Sequence, residues 1–211
     1  MQGREGISNY FYTSTHKMGA RDYSMVMKIV LCGDKSVGKT TLIQRLSLSS
    51  FHSSQMNTIG VDFSIIDTVH QEGSHAGTIT KTQIFDVNTS KRFLPNRQII
   101  YEGLHVALLI YDVTVPETLD HIVTWLQEIQ EIAGIIPVVL IANKIDLREK
   151  VPNSVTSAQG FAFAKRIKEE FLNDAFVVPF VEMSAKTGKV MPSGGVLIKL
   201  PKYETSFYLF H

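Results

Sequence analysis

Hydrophobic residues recur along the chain with two different spacings, and the two spacings alternate. Short apolar runs bounded by glycine or polar residues predict buried or half-buried strands. The predicted strands are Val26–Cys32, Val61–Val69, Thr78–Asp86, Val106–Asp112, Pro137–Ala142 and Val177–Met183. Apolar residues that recur every three or four positions predict amphipathic helices. The predicted helices are Thr40–Leu48, Glu117–Ala133 and Ala158–Leu172.

Strands that alternate with helices predict an α/β fold. We expect a mixed, mostly parallel six-stranded sheet with helices on both faces, in which a glycine-containing hairpin at Gly73–Gly77 joins the second and third strands. Ligands of such sheets bind beyond the carboxyl ends of the strands. The loops that follow strands should therefore carry the chemistry.

The two ends of the chain differ from its centre. Residues 1–24 show no periodicity, and we expect them to form a flexible N-terminal arm. Residues 25–188 carry the alternating pattern of the folded domain, and residues 189–211 form an atypical C-terminal tail.

Composition narrows the function classes. The 211 residues are 44% hydrophobic and 19% charged, as in ordinary globular proteins. Lys and Arg number 21 against 20 Asp and Glu, and this lack of a basic excess argues against a nucleic-acid partner. The apolar runs are far shorter than the ~20 residues of a membrane helix, so we expect no transmembrane segment.

The expected compartment is the cytoplasm. The single cysteine, Cys32, fits a reducing environment. The first residues lack the apolar region of a signal peptide, Gln2 stands where myristoylation needs glycine, and the last residues hold no cysteine for prenylation. We expect a monomer, with a partner protein as the route left open to a membrane.

A phosphate-binding pattern follows the first predicted strand. The run reads Gly33-Asp34-Lys35-Ser36-Val37-Gly38-Lys39-Thr40, in the strand–loop–helix context that the pattern requires. The glycines let backbone N–H groups turn toward phosphate oxygens, and the helix directs its positive N-terminus at them. We assign Lys39 to the β- and γ-phosphates and the hydroxyl of Thr40 to Mg²⁺. All residues of this run and the adjacent Thr41 are candidate nucleotide-binding residues.

A second motif indicates guanine. Asn143-Lys144-Ile145-Asp146 follows the fifth predicted strand. The Asp146 carboxylate can accept two N–H bonds from guanine, whereas adenine offers no matching pair of donors. Such polar pairing rejects the mismatched base by ~10⁴-fold. The tetrapeptide is weak evidence alone, but after a phosphate-binding loop it points to guanine, and Asn143, Lys144 and Asp146 become candidate nucleotide-binding residues.

A third loop completes the predicted pocket. Ser184, Ala185 and Lys186 follow the last predicted strand, where a backbone N–H can reach the guanine oxygen. These three residues are therefore also candidate nucleotide-binding residues.

Together these motifs resemble those of the Ras superfamily of small GTPases, and the chain is most similar to the Rab branch. The resemblance covers roughly Val26 to Gly188. Its further Rab-like segments are Thr58-Ile59-Gly60-Val61-Asp62-Phe63, Tyr111-Asp112-Val113-Thr114 and Trp125-Leu126-Gln127-Glu128-Ile129. It implies a P-loop NTPase G domain that binds GTP or GDP with Mg²⁺ and acts in vesicle trafficking or related signalling.

The resemblance also implies roles for single residues. Phe51 would pack edge-on against guanine, Thr58 would ligate Mg²⁺ and sense the γ-phosphate, and Asp86 would hold Mg²⁺ through water. Lys39 and Thr58 would be the catalytic residues. Effectors, exchange factors and activating proteins would bind through the two switches, whose shape depends on the nucleotide.

Three positions depart from the family pattern. The family's second switch begins Trp-Asp-Thr-Ala-Gly-Gln-Glu, whereas here Thr89 replaces the glycine and Ser90 the glutamine. The glycine gives the γ-phosphate a backbone N–H while the loop moves, and the glutamine orients the attacking water, so both roles are weakened. Lys35 stands where relatives carry Gly, Ser or Ala. Its cation would repel the arginine of an activating protein or would itself stabilise charge.

These departures leave two interpretations. The first is a Rab-like switch that binds guanine nucleotide with Mg²⁺ and hydrolyses GTP slowly. The alternative is a non-cycling GTP-binding interaction module, a pseudo-GTPase, which Lys35, Thr89 and Ser90 favour. The intact Thr58 and Asp86 favour the switch.

The tail departs from the family as well. Relatives form a helix after the third loop and end in cysteine, but Pro192 and Pro201 oppose a helix at up to ~3 kcal/mol for an interior proline. Val196–Leu200 has the composition of a short strand. A diverged tail and an error in the gene model both remain open, and the sheet face left by the lost helix would need the tail or a partner to cover it.

Overall fold

The computed structural model describes residues 25–48, 56–58, 61–69, 79–87, 94–191, 196–200 and 205–209. Its strands are β1 Met25–Cys32, β2 Met56–Thr58, β3 Val61–Val69, β4 Ile79–Val87, β5 Val106–Asp112, β6 Val138–Asn143, β7 Phe180–Met183, β8 Val190–Met191, β9 Val196–Leu200 and β10 Thr205–Leu209. Its helices are α1 Lys39–Leu48, α2 Leu94–Tyr101, α3 Glu117–Asp120, α4 Ile122–Ala133 and α5 Ser157–Phe171, with a 3₁₀ turn at Ile145–Leu147. The predicted arm and the hairpin loop Gly73–Gly77 lie outside the described residues.

One mixed sheet organises the domain, in the strand order β2-β3-β4-β1-β5-β6-β7-β8. The central strands β4, β1, β5, β6 and β7 are parallel neighbours, whereas β2, β3 and β8 join antiparallel. The α/β class and the mostly parallel sheet are confirmed. The predicted strand count is wrong: within the described residues the sheet has eight strands rather than six. Its extra edge strands, β2 and β8, have 3 and 2 residues, too few to show a period.

Helices cover both faces of this sheet. Ile29 and Leu31 of β1 belong to one buried cluster, which includes Leu42 of α1. Val30 and Cys32 belong to a second cluster with residues of α2, α3, α4 and α5. Because successive side chains of a strand point to opposite faces, the alternation places a helix layer on each side. Strand β5 is buried along its whole length, which explains why its sequence is apolar without alternation.

The predicted helix Glu117–Ala133 is divided at His121. The backbone there has φ −67° and ψ −15°, nearer a 3₁₀ than an α conformation. Its hydrogen bonds nevertheless continue, because the His121 N–H donates to Glu117 and its carbonyl accepts from Trp125. The side chain of His121 contacts Asp34 in the loop that follows β1, as described below.

Helix α2 was not predicted from the pattern. Its buried face includes Arg97, which is 4% exposed, beside Ile100 and Tyr101. An arginine interrupts the apolar periodicity by which helices are recognised, so this face is invisible in the pattern. The last predicted strand is also shorter than expected, because only Phe180–Met183 pairs with β6 and β8.

The described part of the tail is extended. The strand predicted at Val196–Leu200 is confirmed as β9, and it pairs antiparallel with β10. None of the described helices is long and apolar enough to span a bilayer.

Beneath α5 lies a polar atom without a partner. The hydroxyl of Tyr111 is buried and makes no hydrogen bond to any residue that the structure describes, and burial raises the pKa of this phenol. It lies against Gly160 of α5, where a Cβ would come 2.5 Å from the hydroxyl and 2.4 Å from the Phe180 ring. The helix therefore needs glycine here for close packing.

Alanine at position 160 should invert the usual helix preference. Gly→Ala inside a helix ordinarily stabilises by up to about 1 kcal/mol, but we expect Gly160→Ala to destabilise by about 1–3 kcal/mol because the site is overpacked. Tyr111→Phe should leave stability unchanged or raise it by about 1 kcal/mol, since it removes an unpaired buried hydroxyl. Chemical denaturation of the three proteins measures both effects. A more stable Gly160→Ala variant, or a clearly destabilised Tyr111→Phe variant, would contradict this packing.

Candidate functional site

The loop between β1 and α1 has a shape that only glycine permits at two positions. Gly33 has φ +145° and Gly38 has φ +104°. A Cβ on Gly33 would lie 2.0 Å from the carbonyl oxygen of Ile110, and one on Gly38 would lie 2.2 Å from Nδ2 of Asn143. Both backbone angle and space thus demand glycine, which lets the loop pass close to β5 and to the loop after β6.

Lys39 lies across this loop as a buried cation. Its side chain is 8% exposed, and Nζ donates to the carbonyl oxygens of Gly33, at 2.8 Å, and Asp34, at 2.7 Å. Burial lowers the pKa of Lys39, while the nearby Asp86, Cys32 and Asp34 oppose that effect. Among the described residues only these carbonyls bond the ammonium, and a buried cation with neutral partners favours an incoming anion.

Thr40 and Asp86, two of the three predicted metal ligands, are in contact. Thr40 lies in the first turn of α1, and its hydroxyl donates to a carboxylate oxygen of Asp86 near the end of β4. A hydroxyl beside a carboxylate is a donor set that Mg²⁺ prefers. Thr58, the third predicted ligand, ends β2, but its side chain is outside the described part of the structure.

Asn143 joins three loops. Its Nδ2 donates to the carbonyl of Val37 at 2.7 Å, and its Oδ1 accepts from the N–H of Ala185 at 2.9 Å. The side chain is almost fully buried. We predicted Asn143 only as a nucleotide-binding residue; its amide in fact ties the loop after β1 to the loop after β7.

Lys144 and Asp146 occupy the turn that follows. Lys144 has φ +65°, and its Nζ lies 2.5 Å from Oδ2 of Asp112 at the end of β5. Asp112 is fixed in turn by two bonds from Thr114. Asp146 stands half-buried in the 3₁₀ turn, and its carboxylate makes no hydrogen bond or ion pair with another described residue. An open carboxylate at this edge of the sheet is available to a ligand.

The loop Ser184–Lys186 is held by an arginine that the sequence patterns did not reveal. Arg45 of α1 donates to the carbonyls of Ala185, at 2.6 Å, and Lys186. The buried Ser184 hydroxyl accepts from the N–H of Thr187 at 3.1 Å. Because Ala185 is bonded on one side by Asn143 and on the other by Arg45, this loop has little freedom.

The carboxylate of Asp34 bonds two residues outside the predicted site. It accepts from Nε1 of Trp125 at 2.9 Å and pairs with Nδ1 of His121 at 2.6 Å. The two partners lie 87 and 91 positions away along the chain, so no local motif predicts them. The neighbouring Lys35 is exposed, and no described residue bonds its ammonium.

The remaining predicted positions divide into two groups. Ser36 is exposed and Val37 is buried in the loop, whereas Thr41 is exposed in the first turn of α1. Phe51 and the divergent Thr89 and Ser90 lie outside the described residues, so what we expect of them stays a prediction.

Comparison with known proteins places this geometry in a family. A family model of the Ras family matches residues 28–193. The chain is 37% identical over 166 residues to the Ras-related protein RABD2a of Arabidopsis thaliana. The matched region covers 78% of this chain and 74% of that protein. It is 36% identical to the GTP-binding protein YPTM2 of Zea mays and 37% identical to the Ras-related protein RIC1 of Oryza sativa subsp. japonica, with the same coverage.

The chain belongs to the Ras family. Within it, the similar Ras-related proteins make it a Rab-like small GTPase. The matched range contains every candidate site residue named above. Members of this family are GTP-hydrolysing molecular switches, and the strand–loop–helix geometry described here is that of a G domain of this class.

His121 should make the stability of this small GTPase depend on pH. Its hydrogen bond to the Asp34 carboxylate, together with that charge, raises the pKa of His121 above its ordinary value of 6.5. A group whose pKa is raised by folding stabilises the fold fully below its unfolded pKa, and this contribution is lost as the pH rises through the folded pKa. The Tm of the wild type should therefore exceed that of His121→Gln at acid pH, and this difference in Tm should shrink as the pH rises.

Thermal unfolding of both proteins between about pH 5.5 and pH 8.5 measures this difference. The effect should be modest because the imidazole is 57% exposed. A difference in Tm that stays constant over this range would show that the ion pair has no such role.

Proposed function

We propose that this protein binds GTP and GDP with Mg²⁺, hydrolyses GTP slowly, and acts through its switches on effector proteins in vesicle trafficking or related signalling. The observation that carries the proposal is the buried ammonium of Lys39, which only two carbonyl oxygens bond among the described residues. A phosphate group would supply the anionic hydrogen-bond acceptor that this cation lacks among the described residues.

The metal side of the proposal depends on Thr40 and Asp86. Their contact brings a hydroxyl and a carboxylate together beside Lys39, which fits a small hard cation. Mg²⁺ bound there would neutralise charge on the β- and γ-phosphates. Thr40 would hold the ion directly, Asp86 would hold it through water, and Thr58 would add a ligand when the first switch closes on the γ-phosphate.

Guanine recognition would come from the opposite end of the site. The open carboxylate of Asp146 is the acceptor that the N–H groups of guanine need. Asn143 and Lys144 would act by holding the turn, through the bonds to Val37, Ala185 and Asp112. A rigid acceptor discriminates between bases better than a mobile one, because a mismatched base leaves it unpaired.

Slow hydrolysis follows from the residues on the γ-phosphate side. Ser90 is too short to orient the attacking water as glutamine does, and Thr89 restricts the backbone where the family has glycine. Lys35, free in the described part of the molecule, adds a cation where an activating protein's arginine would enter. The alternative, a non-cycling module that keeps guanine nucleotide as a structural ligand, is favoured by the same three residues.

Removal of the Asp146 carboxylate should abolish base selectivity. Wild type should prefer GDP over ADP by ~10⁴-fold, and Asp146→Ala should lose most of that preference while it retains contacts to the diphosphate. Calorimetric titration of both nucleotides measures the ratio. Glu149→Ala, an exposed carboxylate a few residues along the same loop, is the matched control and should keep the ratio. The absence of guanine preference in wild type, or its survival in Asp146→Ala, would refute the proposed site.

Restoring the family residues should accelerate hydrolysis. We expect Thr89→Gly with Ser90→Gln to raise the single-turnover rate by roughly 10²-fold, the effect of a well-placed polar group at a reaction centre. GDP affinity should stay unchanged, because both positions act on the γ-phosphate side. A wild-type rate already equal to that of the double variant would refute slow hydrolysis. On the same samples, identical proteolysis patterns with GDP and with a non-hydrolysable GTP analogue would favour the non-cycling module.

A further inference from the structure

Trp125 of α4 touches the phosphate-binding loop by its edge. Its indole Nε1 donates to Oδ1 of Asp34 at 2.9 Å. Asp34 belongs to the loop in a second way, because its carbonyl oxygen accepts from Nζ of Lys39. A displacement of Asp34 therefore changes both the environment of the buried ammonium and the hydrogen bond of the indole.

The ring of the same tryptophan contacts α2. Cζ of Arg97 lies 5.3 Å from the centre of the Trp125 ring. The guanidinium of Arg97 also donates to both carboxylate oxygens of Glu128, at 2.7 and 2.9 Å. The hydroxyl of Tyr101, at the end of α2, donates to the same carboxylate at 3.0 Å. The middle and the C-terminal end of α2 are thus attached to α4.

The attachment of α2 to α4 would be costly to break. Trp125 and Glu128 are three residues apart on α4 and share a face. Arg97 is buried, so a displaced α2 would leave an uncompensated charge in the interior. A bidentate guanidinium–carboxylate pair is directional, and such a contact is made or broken rather than gradually stretched. A shift of α2 away from α4 would therefore break this pair rather than stretch it.

Helix α2 follows the segment that corresponds to the family's second switch. It begins at Leu94, directly after the segment that contains Thr89 and Ser90. In the family a glycine in that segment contacts the γ-phosphate, and this chain has threonine there. A route from the nucleotide to α2 that passes through α4 would not depend on that glycine.

We propose that Trp125 is a positioning residue that couples the phosphate-binding loop to α2, so that bound nucleotide and the position of α2 bias each other. The coupling rests on the proposed binding of guanine nucleotide. Its path runs from Asp34 through the indole of Trp125 to Arg97, which Glu128 holds in place. Coupling between two sites is reciprocal, so a change in the α2 attachment must alter how the loop holds nucleotide.

A double-mutant cycle on GDP release tests the coupling. Glu128→Gln weakens the attachment of α2, and Trp125→Phe removes the indole N–H but retains a ring beside Arg97. Glu128→Gln should change the dissociation rate of a fluorescent GDP by about fivefold or more, although no bond joins Glu128 to the loop. In the Trp125→Phe background the same change should have little further effect. Glu131→Gln, an exposed glutamate on the same helix, is the matched control and should stay near the wild-type rate.

Hydrogen exchange of residues 94–101 supplies a readout that mere packing would not move. Protection in wild type should differ between GDP and a non-hydrolysable GTP analogue, and Trp125→Phe should lose that difference while it still binds both. Since Trp125 is the only tryptophan of the chain, its emission provides a measurement that needs no variant at this position. Emission should differ between the two nucleotides, and Glu128→Gln should reduce the difference.

The outcomes separate the two proposals. If wild type binds GDP but the two substitutions act additively, or Trp125→Phe keeps the nucleotide-dependent exchange of α2, the coupling is wrong and the proposed function stands. If wild type binds no GDP, the proposed function fails and the coupling fails with it.

Discussion

A buried ammonium between two backbone carbonyls is the constraint on which the site depends. Lys39 occupies this position because the loop directs the carbonyl groups of Gly33 and Asp34 toward its ammonium. The loop can adopt this conformation only with glycine at positions 33 and 38. Asn143, at the end of β6, then closes the arrangement through its bond to the Val37 carbonyl. The free-energy cost of burying the charge is thus met in part by backbone dipoles and in part left for a ligand to offset.

The site has two halves with different physical character. The half near Asn143 and Asp146 is made of short contacts between loops, and Arg45 and Asn143 leave the third loop little freedom. The departures in the site motifs, at Lys35, Thr89 and Ser90, occur at positions that the family resemblance assigns to the γ-phosphate side. This division supports the proposal that the protein binds guanine nucleotide and hydrolyses GTP slowly.

The sequence revealed those features that depend on neighbours along the chain. The six longer strands of the main sheet and the loops after them were predictable because each is a local pattern, an apolar run followed by glycine or by a polar motif. Helix α2 was missed because its buried face includes Arg97, whose charge is satisfied by Glu128 on another helix. The contact of Asp34 with His121 and Trp125 joins residues that only the tertiary fold brings together, and no periodicity encodes such a meeting. Phe51, Thr58, Thr89 and Ser90 remain predictions.

The two glycines of the phosphate-binding loop are required by the packing around them as well as by any ligand. Gly33 packs against the Ile110 carbonyl and Gly38 against the Asn143 amide. A related protein that no longer binds nucleotide would therefore still need both glycines in order to fold. The fold does not require Lys39 in the same way, since an apolar side chain of similar length would fill its place at less electrostatic cost. Across related sequences, drift at position 39 would mark the loss of nucleotide binding, whereas persistence of the glycines would say little about it.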